Sequence, residues 1–204
     1  MVFKSEYKPV TELFGAPEPP KTGRGRLLHS AVNMIYLHGI HAVGIDQVIA
    51  DAGVTKSTFY KHFESKDELL VEAIRLRDVW EGNAFSEAVH ELAGDDPRAQ
   101  LLALFDVLDI WFNDPDFHGC QFINVAAQVP NPHDPMHEVA ANHKRRLRDH
   151  FCGLAKRAGV KDAEAFADTY TALVEGTLIL RQVHGRNDAA RVIKPAVQRL
   201  IDQG

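Results

Sequence analysis

The stretch Ile45–Phe63, reading IDQVIADAGVTKSTFYKHF, leaves the chain few folds to choose from. Ile45, Val48, Ile49 and Ala52 follow i, i+3, i+4, i+7 spacing and predict a helix of about two turns with one buried face. Phe59 and Phe63, four residues apart, give a second short helix a single inward ridge. Ala52-Gly53-Val54-Thr55 lies between them. Gly53 can take the left-handed conformation that closes a helix, and the Thr55 hydroxyl can cap the next one. Two short helices joined by a four-residue glycine turn are the sequence form of a helix-turn-helix.

With Phe59 and Phe63 pointing inward, the opposite side of the second helix centres on Ser57, Thr58 and Lys61. Lys56 and Tyr60 flank one edge and His62 the other. Each of these side chains can donate a hydrogen bond and none is acidic. Such a face suits a helix laid in a DNA major groove, where short hydroxyls and lysine reach base edges and tyrosine or lysine reaches phosphate. A solvated face on an ordinary helical pair is the competing reading.

Charge distribution favours the groove. The chain is acidic overall, with 23 Lys and Arg against 28 Asp and Glu. Residues 21–66 nevertheless hold six basic groups and three acids, a net of +3, whereas residues 67–204 hold 15 basic and 22 acidic groups, a net of −7. A cationic module on an anionic body orients itself toward nucleic acid and keeps the rest away. Three segments follow: an extended N-terminal arm (1–20, four prolines), a DNA-binding module (21–66) and a helical body (67–204).

The periodicity predicts nine helices and no sheet. The first runs from about Gly23 to His38, with Leu28, Ala31, Val32 and Ile35 as its stripe and Gly39 as its stop. Ser65 opens a fourth helix, with Glu68 completing a capping box, and this helix runs to about Leu92. Asp96-Pro97 starts the fifth, and breakers at Asn113–Asp116 and Pro130–Pro135 isolate a short sixth. The seventh spans about Met136–Ala158; its Lys144, Arg145, Arg146 and Arg148 read as a solvated face. The eighth (about Ala163–His184) is apolar on more than one side, and the ninth (about Ala189–Asp202) carries an expected kink at Pro195. Cys120 and Cys152 have no CxxC pairing and read as free thiols. No signal peptide is visible and no apolar run nears 18 residues, so a soluble, cytoplasmic protein without membrane contact is expected.

The run HGIHAVGIDQVIADAGVTKSTFYKHFESKDELL, His38–Leu70, resembles the N-terminal domain of the tetracycline-repressor (TetR/AcrR) family. The resemblance rests on Gly39, the Ile45/Val48-Ile49-Ala50 helix, Ala52-Gly53-Val54, Lys56, Phe59-Tyr60-x-x-Phe63, and Ser65-Lys66. It implies an all-α fold with a three-helix DNA-binding domain and a helical ligand-binding and dimerisation domain. DNA contacts are then expected from Gly44, Gln47, Thr55, Lys56, Ser57, Thr58, Tyr60, Lys61, His62 and Lys66. Lys66, at an exposed helix N-terminus, would clamp a phosphate. One departure stands at Val43-Gly44, where family members often carry Thr or Ser: Gly44 can cap but has no hydroxyl for phosphate.

The resemblance further implies a ligand cavity in the body. Its expected lining is Trp80, Phe105, Trp111, Phe112, Phe117, Cys120, Phe122, Phe166 and Tyr170, although aromatics at helical spacing also serve as plain core. A four-helix dimer interface from the last two helices would use Leu173, Gly176, Leu180, Val197 and Leu200. The expected partners are a near-palindromic operator, an unidentified small-molecule inducer and a second copy of the chain. His118, Cys120, His133, His137 and His143 cluster in sequence but lack metal-ligand spacing, so neither metal nor cofactor is expected. No nucleophile elbow, phosphate loop or paired-carboxylate motif argues for an enzyme. The reading is a homodimeric transcriptional regulator, a repressor released by an apolar or amphipathic ligand. Control by a protein partner, or by no inducer, is the alternative.

Overall fold

The computed structural model describes residues 20–203, and within them the chain is all-helical. The helices are α1 (Gly23–His38), α2 (Ile45–Asp51), α3 (Lys56–His62), α4 (Lys66–Ala93), α5 (Pro97–Phe112), α6 (Gln121–Gln128), α7 (Pro135–Arg157), α8 (Ala163–Gln182) and α9 (Ala189–Gln203). A 3-10 turn, Ile40–Ala42, sits between α1 and α2. The arm expected over 1–20 lies outside the described residues except for Pro20.

Local chemistry sets the boundaries. Thr22, Thr55, Ser65, Asp96, Asp134 and Asp162 each accept a backbone N–H in the first turn of the helix they precede. Gly39 (φ 78°) stops α1 and Gly53 (φ 59°) makes the α2–α3 turn, conformations that a Cβ would disfavour. The capping box at Ser65 is offset: its hydroxyl accepts the Glu68 N–H at 3.1 Å, but the Glu68 carboxylate reaches back to the Glu64 N–H at 2.6 Å.

The first three helices share one core with the start of α4. Leu27, Ala31 and Val32 of α1 meet Val48 of α2, Phe59 and Phe63 at α3, and Leu69, Leu70 and Ile74 of α4, all essentially excluded from water. Truncating either phenylalanine to alanine there costs on the order of 3–5 kcal/mol. Helix α4 then continues, about 42 Å long over its 28 residues, into the body. It packs on α5 and α7, while α8 and α9 pack on each other and on α7 and α5 respectively.

One expectation about the body is corrected in part. Of the basic positions of α7, Arg145 and Arg146 are exposed as expected, but Lys144 and Arg148 are half-buried, because α7 lies between α4 and α8 and meets the acids of both. Lys144 pairs with Glu175 (2.8 Å), Arg148 with Asp168 (2.8 Å) and Glu164 (2.5 Å), and Arg146 with Asp78. Helix α9 runs from Ala189 to Gln203 with Pro195 inside it, and the proline removes an N–H without ending the helix.

Candidate nucleic-acid interface and internal cavity

Helix α3 turns its two faces as its spacing predicts. Phe59 is 0 % exposed and Phe63 at the C-cap 1 %, their rings 5.9 Å apart, whereas Tyr60 is 55 % exposed. Lys56, Ser57 and Lys61 are also exposed. Thr55 serves structure: its hydroxyl oxygen accepts the Thr58 N–H at 3.2 Å and lies 2.9 Å from the Ser57 and Thr58 hydroxyls. Thr58 is half-buried, its methyl packed against Gly23, and His62 is half-buried too. The outward patch is therefore Lys56, Ser57, Tyr60 and Lys61, narrower than the sequence suggests.

Three flanking positions are tied into the scaffold. Gly44 caps α2, and its N–H donates to the Gln47 side-chain carbonyl at 3.0 Å, which commits that oxygen but leaves the amide nitrogen free. The Lys66 ammonium is half-buried and donates to the Val43 carbonyl at 2.9 Å. Lys66 is thus not the outward phosphate clamp expected at that helix end. It pins the first turn of α4 beside the start of α2, and two of its three donors remain available. Arg24 pairs with Glu72 of α4 and lies 5.2 Å above the Phe63 ring.

Three polar contacts join this module to the body beyond α4. The Gln128 side-chain oxygen, at the end of α6, accepts the Ile40 N–H at 2.9 Å, and the His41 ring contacts the Gln128 carbonyl at 3.1 Å. The Tyr36 hydroxyl accepts the His118 N–H at 3.0 Å, with Arg77 stacked 4.9 Å from the tyrosine ring. Burial pushes the Tyr36 phenol up, so it stays neutral.

A cavity of about 860 Å³ lies between α4, α5, α7 and α8. Of the nine expected lining residues, only Trp111, Cys120 and Tyr170 border it. Phe105, Phe112, Phe122 and Phe166 are buried core, Phe117 sits 4.4 Å under the Arg181 guanidinium, and Trp80 faces His29 of α1. The apolar wall comes instead from Phe85, Val89, Leu104, Leu108, Leu147, Phe151, Leu154, Val174 and Leu178. Burial raises the Cys120 pKa, so its thiol is protonated and a poor nucleophile at neutral pH.

The polar lining was not foreseen. Asp78, Glu81, His143, Lys144 and Arg146 all border the cavity. His143 stacks on Phe122 (centroids 3.7 Å apart) and contacts Asp78 at 2.8 Å through Nδ1. Since a carboxylate only accepts, that nitrogen carries the hydrogen. Burial holds the imidazole pKa down to about 4, against the pull of Glu81. Arg77 and Glu81, a buried i,i+4 pair at 3.0 Å, stand on the inward stripe of α4 beside Ala73 and Ile74. Charged residues on an otherwise apolar stripe are the sequence signal that could have pointed here.

The expected interface residues divide. Gly176 is exposed, with open space where a side chain would stand, and Leu173, Leu180 and Leu200 are half-buried. Val197 is 0 % exposed and belongs to the chain's own core, because it lies on the face of α9 turned inward. Sequence reasoning missed Val183 (68 % exposed) and Val192, which with Ile179 leave an apolar outer face on α8 and α9.

Known proteins bear on this geometry. Residues 27–73 match the model of bacterial regulatory proteins of the tetR family. The chain is 23% identical over 173 residues to the HTH-type transcriptional regulator LmrA of Bacillus subtilis, covering 77% of this chain and 85% of that one. It is 23% identical over 195 residues to the regulator BetI of Yersinia pestis, covering 90% and 97%. A crystal structure of a TetR-family transcriptional regulator from Streptomyces coelicolor superposes with a TM-score of 0.77 at 27% identity, over 89% of this chain and 95% of that one. These relatives are regulators, not enzymes. With a matching family model, a matching fold and an outward donor-bearing α3, residues 27–73 are a tetR-family DNA-binding domain and the fold around them is that of TetR-family transcriptional regulators.

Proposed function

We propose that this regulator is a homodimeric repressor that leaves its operator when an apolar or amphipathic small molecule occupies the cavity. Residues 21–66 would bind DNA, chiefly through Lys56, Ser57, Tyr60 and Lys61 with support from Gln47, while residues 67–204 bind the ligand and the second copy. One observation carries this reading: α4 belongs to both parts. Its first turn is pinned beside α2 through Lys66, and its middle, Arg75–His90, walls the cavity.

A ligand that moves the middle of α4 moves its end. It must favour the released geometry: about 1.4 kcal/mol of preference gives a tenfold loss of DNA affinity, and about 5.5 kcal/mol nearly empties the bound state. The outer face of α8 and α9 supports dimerisation: Ile179, Val183 and Val192 are exposed there, as is Gly176. Two recognition helices related by a twofold axis then read half-sites about 34–36 Å apart.

The test is a gel shift on DNA upstream of the protein's own gene, with and without a library of apolar and amphipathic compounds. Salt-sensitive binding that some of these compounds reverse is expected. Absent or salt-insensitive binding contradicts operator recognition, and binding that no compound alters contradicts ligand control.

A further inference from the structure

Taking the cavity as the inducer site, we infer that the molecule it admits is an anionic amphiphile: an apolar body with one anionic head group, the head held at the cavity lip by Arg75. Charges inside the cavity are matched in pairs. Glu81, 5 % exposed, is paired with Arg77 at 3.0 Å. Lys144 is paired with Glu175 at 2.8 Å. The Asp78 carboxylate spans Arg146 and the neutral His143. A ligand charge placed among these groups would be stripped of water without a partner, which is costly. The rest of the interior, including Leu104, Leu108, Phe151 and Val174, accepts only apolar surface.

Arg75 differs. It lines the cavity, it is exposed, and no carboxylate lies within ion-pair distance of it among the described residues. It occupies the end of the α4 stripe nearest the DNA module, one turn before Asp78 and Val79, and Val79 is itself exposed at the same opening. Arg75 also edges a small adjoining dimple together with Asp78, Arg146 and Glu138; Glu138 lines the dimple but not the cavity. After all pairs among the described residues are matched, the lining therefore keeps one cation, at the lip. A planar guanidinium there suits a carboxylate or phosphate oxygen pair.

The position also supplies a mechanism. An anion at Arg75 sits one helical turn from Asp78 and competes with it for Arg146. That competition loosens the contact by which α7 holds α4, so the head group acts on the same helix that carries the DNA module.

The experiment titrates the full chain with dodecanoate, dodecan-1-ol and dodecyltrimethylammonium below their micellar concentrations, by calorimetry or by fluorescence of Trp111. Dodecanoate is expected to bind about tenfold or more tightly than the alcohol, and the ammonium compound more weakly than either. Arg75→Gln should abolish the preference for dodecanoate while leaving the alcohol unchanged, and Arg75→Lys should restore most of it. A preference that survives in Arg75→Gln, or equal affinity for carboxylate and alcohol in the wild type, overturns the inference. Leu104→Trp, which fills the cavity, separates the two levels of the account. If it abolishes alcohol binding while the carboxylate shows no advantage, the anion inference falls and the cavity reading stands. If it changes nothing, or if none of the three probes binds, the cavity reading falls and the inference with it.

Discussion

The side-chain oxygen of Gln128 accepts the backbone N–H of Ile40 at 2.9 Å, joining the last residue of α6 to the turn just before the helix-turn-helix. Gly39 leaves room for this contact, since a Cβ there would lie 2.7 Å from the same oxygen. Cys120, the N-cap of the same eight-residue helix, borders the cavity. Helix α6 thus spans from cavity to DNA module alongside α4. Gln128→Ala is expected to lower stability by about 0.5–1.5 kcal/mol and to speed amide exchange at Ile40 at least tenfold. Unchanged exchange at Ile40 would show that the contact does not hold the turn.

His143 sets a pH dependence. In the unfolded chain its imidazole titrates near 6.5; folded, burial keeps it near 4. Between those values the unfolded chain binds a proton that the folded chain refuses, so stability falls as pH drops through this window and the residue adds nothing to the slope above it. From pH 7 to pH 5 the wild type should lose about 2 kcal/mol more than His143→Gln in urea unfolding. Equal losses in the two proteins would contradict a buried, neutral imidazole beside Asp78.

Legibility from sequence tracked how local the determining physics is. The DNA module was readable because its signals act within a few residues: the i, i+4 pair Phe59 and Phe63, the left-handed Gly53, and the caps at Thr55 and Ser65. Lys66 escaped this logic, since its acceptor, the Val43 carbonyl, lies 23 positions away. The cavity was legible only as an expectation, because its walls come from four helices whose mutual placement no short-range pattern encodes. Phe105, Phe112, Phe122 and Phe166 have the same helical spacing whether they line a cavity or fill a core. Asp78 and Arg146 look solvated until α4 and α7 are packed together.

The outer face of α8 and α9 bears on assembly. Ile179→Asp together with Val183→Asp places two charges on the exposed apolar stripe and should convert a dimer to a monomer in analytical ultracentrifugation. Because both residues are exposed in the single chain, helix content should be retained. A double variant that remains dimeric at micromolar concentration would move the interface elsewhere.

The central claim is that the outward side of α3 enters the groove, and fluorescence anisotropy on the upstream DNA tests it most directly. Tyr60→Ala and Lys61→Ala should each weaken binding by about 1–3 kcal/mol, and Lys61→Ala should also reduce the salt slope by about one, with unfolding midpoints unchanged. Wild-type affinity and salt dependence in both variants would contradict the account.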